Sequence, residues 1–244
     1  MKLLLVNGNR TRAVTAAVLA EAQATAADGT ELVAVEAAFG ADIVFSHAEN
    51  AVATHAVLDA LARHAGGCDA AILAISFDSG LAAARELLPM PVLGITEAAL
   101  LTACQLARRV GVVTVGRVSS SLYAEVFAQT GLGDRIAAVG TVDMASAGEY
   151  LSPQDFDARV VAEANRLAAE AGAEAVVACG AALAGIARRA RAAVAVPLVD
   201  GVGAAVRQAE ALVRGGYRAR ARPAGPRATM AGVSAELAAL FARP

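Results

Sequence analysis

The stretch Glu174-Ala-Val-Val-Ala-Cys179-Gly180-Ala-Ala-Leu-Ala-Gly185 decides the fold that we expect for this chain. An apolar run ends at Cys179, a small glycine-containing turn follows, and a helix-like pattern begins at Ile186. This order predicts a buried parallel strand that delivers a thiol to its carboxyl end, where ligands of open α/β sheets bind. We expect the nearby helix N-terminus to lower the pKa of the thiol. The alternative is a structural role, because most free cysteines are small buried hydrophobic residues.

A second stretch, Asp69-Ala-Ala-Ile-Leu-Ala-Ile-Ser76-Phe-Asp78-Ser79-Gly80-Leu81, repeats this pattern with a serine in place of the cysteine. Both stretches continue into a short strand that contains a proline, at Pro91 and at Pro197. The chain is therefore predicted to be an internal duplication. A pseudo-twofold arrangement would place Ser76 and Cys179 on opposite sides of one cleft.

Strands that alternate with helices along the chain predict parallel sheets with helices on both faces. We expect an α/β fold of two similar parallel-sheet lobes, related by a pseudo-twofold axis, with the site in the cleft between them. Residues 1–98 and the helix 201–214 would form the first lobe, and residues 99–200 the second. Residues 215–244 would form a connector and C-terminal tail, and the arginine-rich segment 214–227 would be solvated or lie across a neighbouring subunit.

Composition narrows the class of protein. The 244 residues are 57% hydrophobic, enough for a sizeable core, and the net charge of −2 gives no reason to expect a nucleic-acid partner. No apolar run reaches the length of a membrane span, and the apolar start at residues 1–6 is interrupted too early for a signal peptide. The 3 cysteines are widely spaced, which suits a reduced, cytoplasmic enzyme better than a disulfide scaffold.

Missing residue types argue against several cofactors. Lys2 is the only lysine and lies in the first predicted strand, which makes a pyridoxal-phosphate Schiff base implausible. The chain contains no Walker A sequence and no G-x-G-x-x-G after a strand. Its histidines, His47, His55 and His64, lack metal-ligand spacing from Cys or Asp. We therefore expect an enzyme without cofactor or metal.

These motifs resemble those of the aspartate/glutamate/hydantoin racemase superfamily, and most closely its hydantoin and allantoin racemase branch, over roughly residues 1–214. The opening Asn7-Gly8-Asn9 resembles that branch's Asn-Pro-Asn turn. The segment Ser76-Phe-Asp78-Ser79-Gly80-Leu81 resembles its Cys-Phe-Gly-Asp-Pro-Gly-Leu segment. Similar motifs of the branch correspond to Thr114-Val-Gly116, Cys179-Gly180 and Pro197-Leu-Val-Asp200-Gly201.

The resemblance implies a cofactor-independent racemase or epimerase of amino acids or hydantoin-like derivatives, with proton transfer at the α-carbon. Family members use two cysteines on opposite faces of the substrate, one to remove a proton and one to return a proton. Cys179 matches the second cysteine, whereas Ser76 stands in the place of the first. A serine hydroxyl is a poorer base than a thiol unless a group such as Asp78 activates it. Capping of the following helix is the alternative role for Asp78.

Polar groups around the cleft are expected to hold a carboxylate or imide and to stabilise a developing enolate. Glu97 and Asp200 are expected to cap helices or to support the site from behind. As partners we expect a small carboxylate or hydantoin-type substrate and further copies of the chain in a homo-oligomer, with no nucleic acid and no membrane. The predicted catalytic residues are Cys179 and Ser76, and the predicted substrate-binding residues are Asn9, Asp78, Ser79, Thr114, Gly116 and Gly180.

Three functions stay open at this point. The first is a racemase in which Ser76 relays protons through water. The second is a decarboxylase of the arylmalonate decarboxylase type, in which a single cysteine protonates an enediolate. The third is a binding relative without activity. The sequence also leaves open whether Ser76 is natural or an engineered replacement of a cysteine.

Overall fold

The computed structural model describes residues 1–143, 153–219 and 229–242. Strands and helices alternate through both halves of this part of the chain. The first half contains β1 (Lys2–Asn7), α1 (Arg12–Thr25), β2 (Glu31–Glu36), α2 (His47–His64), β3 (Ala70–Leu73), α3 (Leu81–Leu87), β4 (Val92–Gly94) and α4 (Ile95–Leu106). The second half contains β5 (Val110–Val115), α5 (Ser120–Gln129), β6 (Ile136–Val142), α6 (Pro153–Ala171), β7 (Ala175–Ala178), α7 (Ile186–Ala190), β8 (Leu198–Asp200) and α8 (Gly201–Arg214), and α9 (Ala235–Ala242) follows near the C-terminus.

The strands of the described residues form two four-stranded sheets with the same topology. The strand order is β2-β1-β3-β4 in the first sheet and β6-β5-β7-β8 in the second, and the pairs are parallel. The prediction of an α/β fold with two similar parallel sheets is therefore confirmed. In each sheet the strand order reverses between the two central strands, which is where ligands bind in open α/β sheets.

The central strands are buried because helices cover both faces of each sheet. Every residue of β3, β5 and β7 is buried, as are the last five residues of β1. Strands that are buried on both faces need continuous apolar runs rather than alternation. This requirement explains why the strand-end residues stand out so clearly in the sequence.

Two helices, α4 and α8, each pack against the sheet of the other half of the chain. The helix α4 follows the last strand of the first sheet, but it contacts β7 and β8 of the second sheet, with Leu100 in the same apolar cluster as Val177. In return, α8 contacts β3 and β4 of the first sheet, with Val206 in the same apolar cluster as Leu5 and Ile72. Each sheet is thus covered by a helix from the other half. The domain boundaries at residues 98 and 200 stay predictions.

The C-terminal part contributes a short helix. α9 packs against α2 and buries Leu237 and Leu240. Of the predicted arginine-rich segment, Arg214 donates to Glu210, whereas residues 220–227 lie outside the described ranges. None of the helices in those ranges has both the length and the apolar character needed to cross a bilayer.

Candidate active site

Cys179 is held on rigid backbone at the end of β7. It is 2% exposed, and its N–H donates to the carbonyl oxygen of Val113 at 2.8 Å, which extends the sheet pairing by one residue. Gly180 then adopts a φ of 150°, a conformation that residues with a side chain rarely adopt. An apolar strand followed by Cys and Gly therefore fixes both the position of the thiol and the turn of the chain away from the sheet.

The thiol of Cys179 is protonated near neutral pH. Burial raises its pKa to about 12; a side-chain hydrogen bond with Thr96 acts to lower the pKa, and the charge of Asp78 acts to raise it. The expectation that a helix N-terminus lowers this pKa is therefore wrong. The next helix, α7, begins only at Ile186, after a 3-10 turn at Ala181–Leu183, so its dipole does not act directly on the sulfur.

Ser76 reaches the same site from the first half of the chain. Its Oγ accepts a hydrogen bond from the N–H of Ala181, at 3.3 Å, and Ala181 follows directly after Cys179-Gly180. β3 ends at Leu73, whereas the apolar run predicts a strand that continues up to Ser76, because the chain bends and turns at residues 75–77. This turn carries the serine out of the sheet and towards the second half.

Thr96 connects Ser76 with Cys179. It is 1% exposed at the start of α4, and its Oγ1 donates to the carbonyl oxygen of Ser76 at 2.6 Å. The same side chain makes a hydrogen bond with Cys179. Because a hydroxyl both donates and accepts, Thr96 can accept from the thiol, and it can donate to a thiolate once its proton turns away from the carbonyl oxygen of Ser76. Thr96 was not among the predicted site residues, although its position shortly after β4 was a usable signal.

Asp78 caps α4. Its Oδ1 accepts from the N–H of Thr96 at 3.1 Å, and its Oδ2 accepts from the N–H of Glu97 at 2.8 Å. The N-cap position of α4 is Gly94, and a Cβ at this glycine would collide with the carboxylate of Asp78. Asp78 therefore supplies the cap that Gly94 lacks, and the helix that it caps is α4 rather than α3, which follows it in the chain.

The buried position of Asp78 raises the pKa of its carboxyl group. Burial raises its pKa to about 7, although the two backbone N–H donors act to lower it. Both of its oxygens are engaged by α4, which favours the capping role over activation of Ser76. In the second half, the corresponding helix α8 is capped by its own N-cap residue, Asp200, whose Oδ1 accepts from the N–H of Gly203 at 2.9 Å.

A cavity of about 20 Å³ adjoins Ser76 and Gly180. This volume has room for about one water molecule. Asn9 lines the cavity, and its Oδ1 accepts from the N–H of Val44 at 3.0 Å, which ties the segment 43–45 over the site. This segment was not among the predicted parts of the site. The remaining lining residues are Ile43, Phe45, Ile75, Phe77, Val115, Ser119 and Tyr123.

Asp78 and three other predicted binding residues lie outside this lining. Thr114 is 1% exposed, and its Oγ1 lies 3.1 Å from Oγ1 of Thr141 on the neighbouring strand β6. Gly116 has a φ of 77°, and a Cβ there would lie 3.6 Å from the ring of Phe45. Ser79 lines a separate groove of about 360 Å³. The roles of these three residues in binding substrate stay predictions.

The described residues include no group of three or more His, Cys, Asp or Glu side chains placed to hold a metal ion. The side chains that line the cavity are instead hydroxyls, the amide of Asn9, aromatic rings and aliphatic groups, and Cys179 lies outside this lining, directly before Gly180 in the chain. Such groups can orient a small polar ring and can transfer a proton to or from it.

Comparison with known proteins gives concordant results. The sequence model of a family described as Asp/Glu/Hydantoin racemase matches residues 3–209. A hydantoin racemase of Rhizobium meliloti is 31% identical over 218 residues, which cover 89% of this chain and 90% of the relative. An allantoin racemase from Klebsiella pneumoniae has a TM-score of 0.87 at 29% identity, over 97% of this chain and 98% of that chain. An allantoin racemase from Pseudomonas fluorescens has a TM-score of 0.86 at 34% identity, over 90% and 94% of the respective chains.

Proposed function

Because the chain belongs to the Asp/Glu/hydantoin racemase family, we propose that it racemises a hydantoin-type cyclic ureide at the ring carbon that carries the substituent. The same relationships make the protein an isomerase of the racemase type. The observation that carries the proposal is the meeting of Ser76 and Cys179, from the two halves of the chain, around Thr96.

Cys179 is the principal proton-transferring group in this proposal. With a pKa of about 12, the thiol holds its proton at neutral pH and can give it to an enolate on the adjacent face. In this step the S–H bond breaks, a C–H bond forms, and the negative charge moves from the enolate to sulfur. Thr96 can then donate its hydroxyl proton in a hydrogen bond to the thiolate, which is the form that would remove a proton in the reverse direction.

Ser76 serves the opposite face of the substrate. Its hydroxyl borders the cavity of about 20 Å³, which has room for about one water molecule. We propose that a water at this place relays a proton between the substrate and Ser76, because an unassisted serine hydroxyl is a weak base. The N–H of Ala181 donates to Ser76 Oγ and would stabilise negative charge that develops there.

One observation favours a second candidate, a decarboxylase with a single active thiol. A protonated Cys179 and a serine on the other side would be sufficient to protonate the enediolate that is left when a malonate-type acid loses carbon dioxide. This reaction needs one proton donor and no second base. It is therefore an alternative outcome of the same experiment.

The test follows the exchange of the ring-carbon proton in deuterium oxide with an enantiopure 5-substituted hydantoin. We expect wild-type protein to exchange the proton and to racemise the compound. Cys179→Ser should lose about 100- to 10,000-fold in rate, the range typical of a general acid or base. Cys104→Ser, which changes a cysteine within α4, is the matched control and should keep full activity.

Each alternative has its own signature in that experiment. Activity that survives in Cys179→Ser would contradict the proposed mechanism. Release of carbon dioxide from an arylmalonate without exchange of hydantoins would establish the second candidate. Binding of a hydantoin without exchange or carbon dioxide release would identify a non-catalytic relative.

We also propose a cytoplasmic location, which is supported by the free state of Cys68, Cys104 and Cys179. A homo-oligomeric state stays a prediction from the sequence.

A further inference from the structure

The cavity beside Ser76 is too small for the proposed substrate. Its volume of about 20 Å³ holds about one water molecule, whereas a hydantoin ring has several heavy atoms. Binding of the ring beside the relay water therefore requires that part of the cavity wall move aside. Val115 is the last residue of the buried strand β5, and Gly180 follows two residues after the end of the buried strand β7, so a side chain is the more mobile part of the wall.

Phe77 is the side chain that separates this cavity from a larger space. It lines both the small cavity and the groove of about 360 Å³, which lies between α3 and α5. Its ring packs on Tyr123, with the ring centroids 4.9 Å apart. If the Phe77 ring turned, the two spaces would join, and the volume of the groove alone lies within the range of about 300–1,000 Å³ that is typical of ligand sites.

The backbone beside Phe77 is well fixed, which favours movement of the ring alone. The N–H of Asp78 donates to the carbonyl oxygen of Ile75 at 3.0 Å, and the N–H of Leu81 donates to the carbonyl oxygen of Asp78 at 2.9 Å. Asp78 has a φ of 48° and is bound to α4 through its carboxylate. The turn is thus held at both ends while the aromatic ring lies between two open spaces.

The groove combines neutral polar groups with an apolar wall. Its charged side chains already have partners: Arg85 pairs with Glu97, and Glu125 lies 2.8 Å from His47. Asp78 is occupied by α4. No other charged side chain belongs to the lining in the described part of the chain. The uncharged polar lining residues are Asn50, Thr54, Ser79, Gln129 and Thr130, and the apolar ones include Leu81, Leu122 and Val126. Ser79 Oγ donates to Asn50 Oδ1 and Thr130 Oγ1 donates to the carbonyl oxygen of Phe127, which leaves the NH2 group of Asn50 and acceptor capacity on both hydroxyls for a ligand.

We propose that this groove is the subsite for the substituent on the substrate ring and that it selects uncharged hydrogen-bonding groups, such as a carboxamide or ureido group. The proposal rests on the proposed function, since the ring itself is placed between Ser76 and Cys179. Phe77 turns aside as the substrate enters, and the substituent passes it into the groove. Amide and hydroxyl side chains both donate and accept, as carboxamide and ureido groups do, and a charged substituent would find no free counter-charge.

The test compares three 5-substituted hydantoins of nearly equal size, which carry the side chains of glutamine, glutamate and leucine. The measured quantity is kcat/KM for deuterium exchange at the ring carbon. We expect the carboxamide compound to exceed the carboxylate and the isobutyl compounds by about tenfold or more. Ala82→Trp, on the exposed face of α3 that lines the groove, should remove most of this preference. The matched control is Ala128→Trp, at an exposed position of α5 outside the lining, which should retain it.

The outcomes separate this inference from the proposed function. If none of the three compounds exchanges, the proposed function fails and the subsite fails with it. If all three exchange and Ala82→Trp changes their ratios no more than Ala128→Trp does, the function stands and the subsite is wrong. A preference for the carboxylate or the isobutyl compound would overturn the neutral polar selectivity. Phe77→Leu provides a second check, because a smaller wall should raise kcat/KM for larger substituents.

Discussion

Asp78→Asn should stabilise the protein relative to wild type as the pH rises. Asparagine has nearly the same shape as a protonated aspartic acid, but it cannot ionise. In the folded protein burial raises the pKa of Asp78 from 3.8 to about 7, whereas unfolding returns the carboxyl group to water and to its ordinary pKa. The substitution therefore removes one specific contribution to the pH dependence of stability.

The sign of this contribution follows from proton binding. Between pH 3.8 and about pH 7 the folded state keeps a proton on Asp78 that the unfolded state has lost. The free energy of unfolding therefore falls as the pH rises through this window. The difference between the two pKa values corresponds to about 4 kcal/mol, a large share of the ~5–15 kcal/mol by which folded domains are stable.

The assay is urea denaturation of wild type and Asp78→Asn from about pH 4 to about pH 8, with the difference in unfolding free energy plotted against pH. We expect this difference to shift by about 4 kcal/mol in favour of the variant. The NH2 group of asparagine cannot accept a hydrogen bond, so one of the two backbone N–H groups that Asp78 binds loses its acceptor. This loss lowers the stability of the variant by the same amount at every pH and leaves the pH dependence of the difference unchanged.

Glu49→Gln is the control with the opposite sign. The N–H of Phe45 donates to Glu49 and lowers the pKa of its carboxyl below 4.5, and the N–H of Ser46 acts in the same direction. The stability that Glu49 contributes is therefore present above pH 4.5 and is lost on acidification. The free energy of unfolding of wild type should therefore increase relative to that of Glu49→Gln as the pH rises. If Asp78→Asn showed the same sign as Glu49→Gln, the two N–H donors and the dipole of α4 would outweigh burial, and the reasoning would be refuted.

Three further outcomes concern the candidate site. Thr96→Val should lower kcat for ring-carbon exchange and shift the pH dependence of kcat to higher pH, because the thiolate of Cys179 loses a hydrogen-bond donor. Thr96→Ser keeps the hydroxyl and should restore both kcat and its pH dependence. Ser76→Cys should increase the racemisation rate measured by polarimetry, whereas Ser76→Ala should lower it, and equal rates in both variants would contradict an active role at this position. Iodoacetamide should label native Cys179 much more slowly than an ordinary thiol, because the side chain is buried and its pKa is raised to about 12; rapid labelling detected by mass spectrometry would contradict both properties.

Local patterns were sufficient to predict most of the architecture. The apolar runs before Ser76 and Cys179 became β3 and β7, and their positions in the two sheets are equivalent. A short apolar run bounded by glycine-containing turns predicts a buried strand because both of its faces must be covered. Element ends were predicted less well: β3 ends before Ser76, and the helix that begins at Ile186 has only 5 residues, Ile186–Ala190.

The sequence by itself determined that the chain folds as two repeated strand–turn–helix units with Ser76 and Cys179 at corresponding strand ends. Each unit is specified by neighbouring residues, through apolar continuity and glycine placement. Only the tertiary structure decided the chemistry of the site: the raised pKa of the thiol, the cap that Asp78 provides to α4, and the link through Thr96. These features depend on burial and on contacts between residues that are distant in the chain, such as the hydrogen bond from the N–H of Ala181 to Ser76. Packing creates them, and no local spacing encodes them.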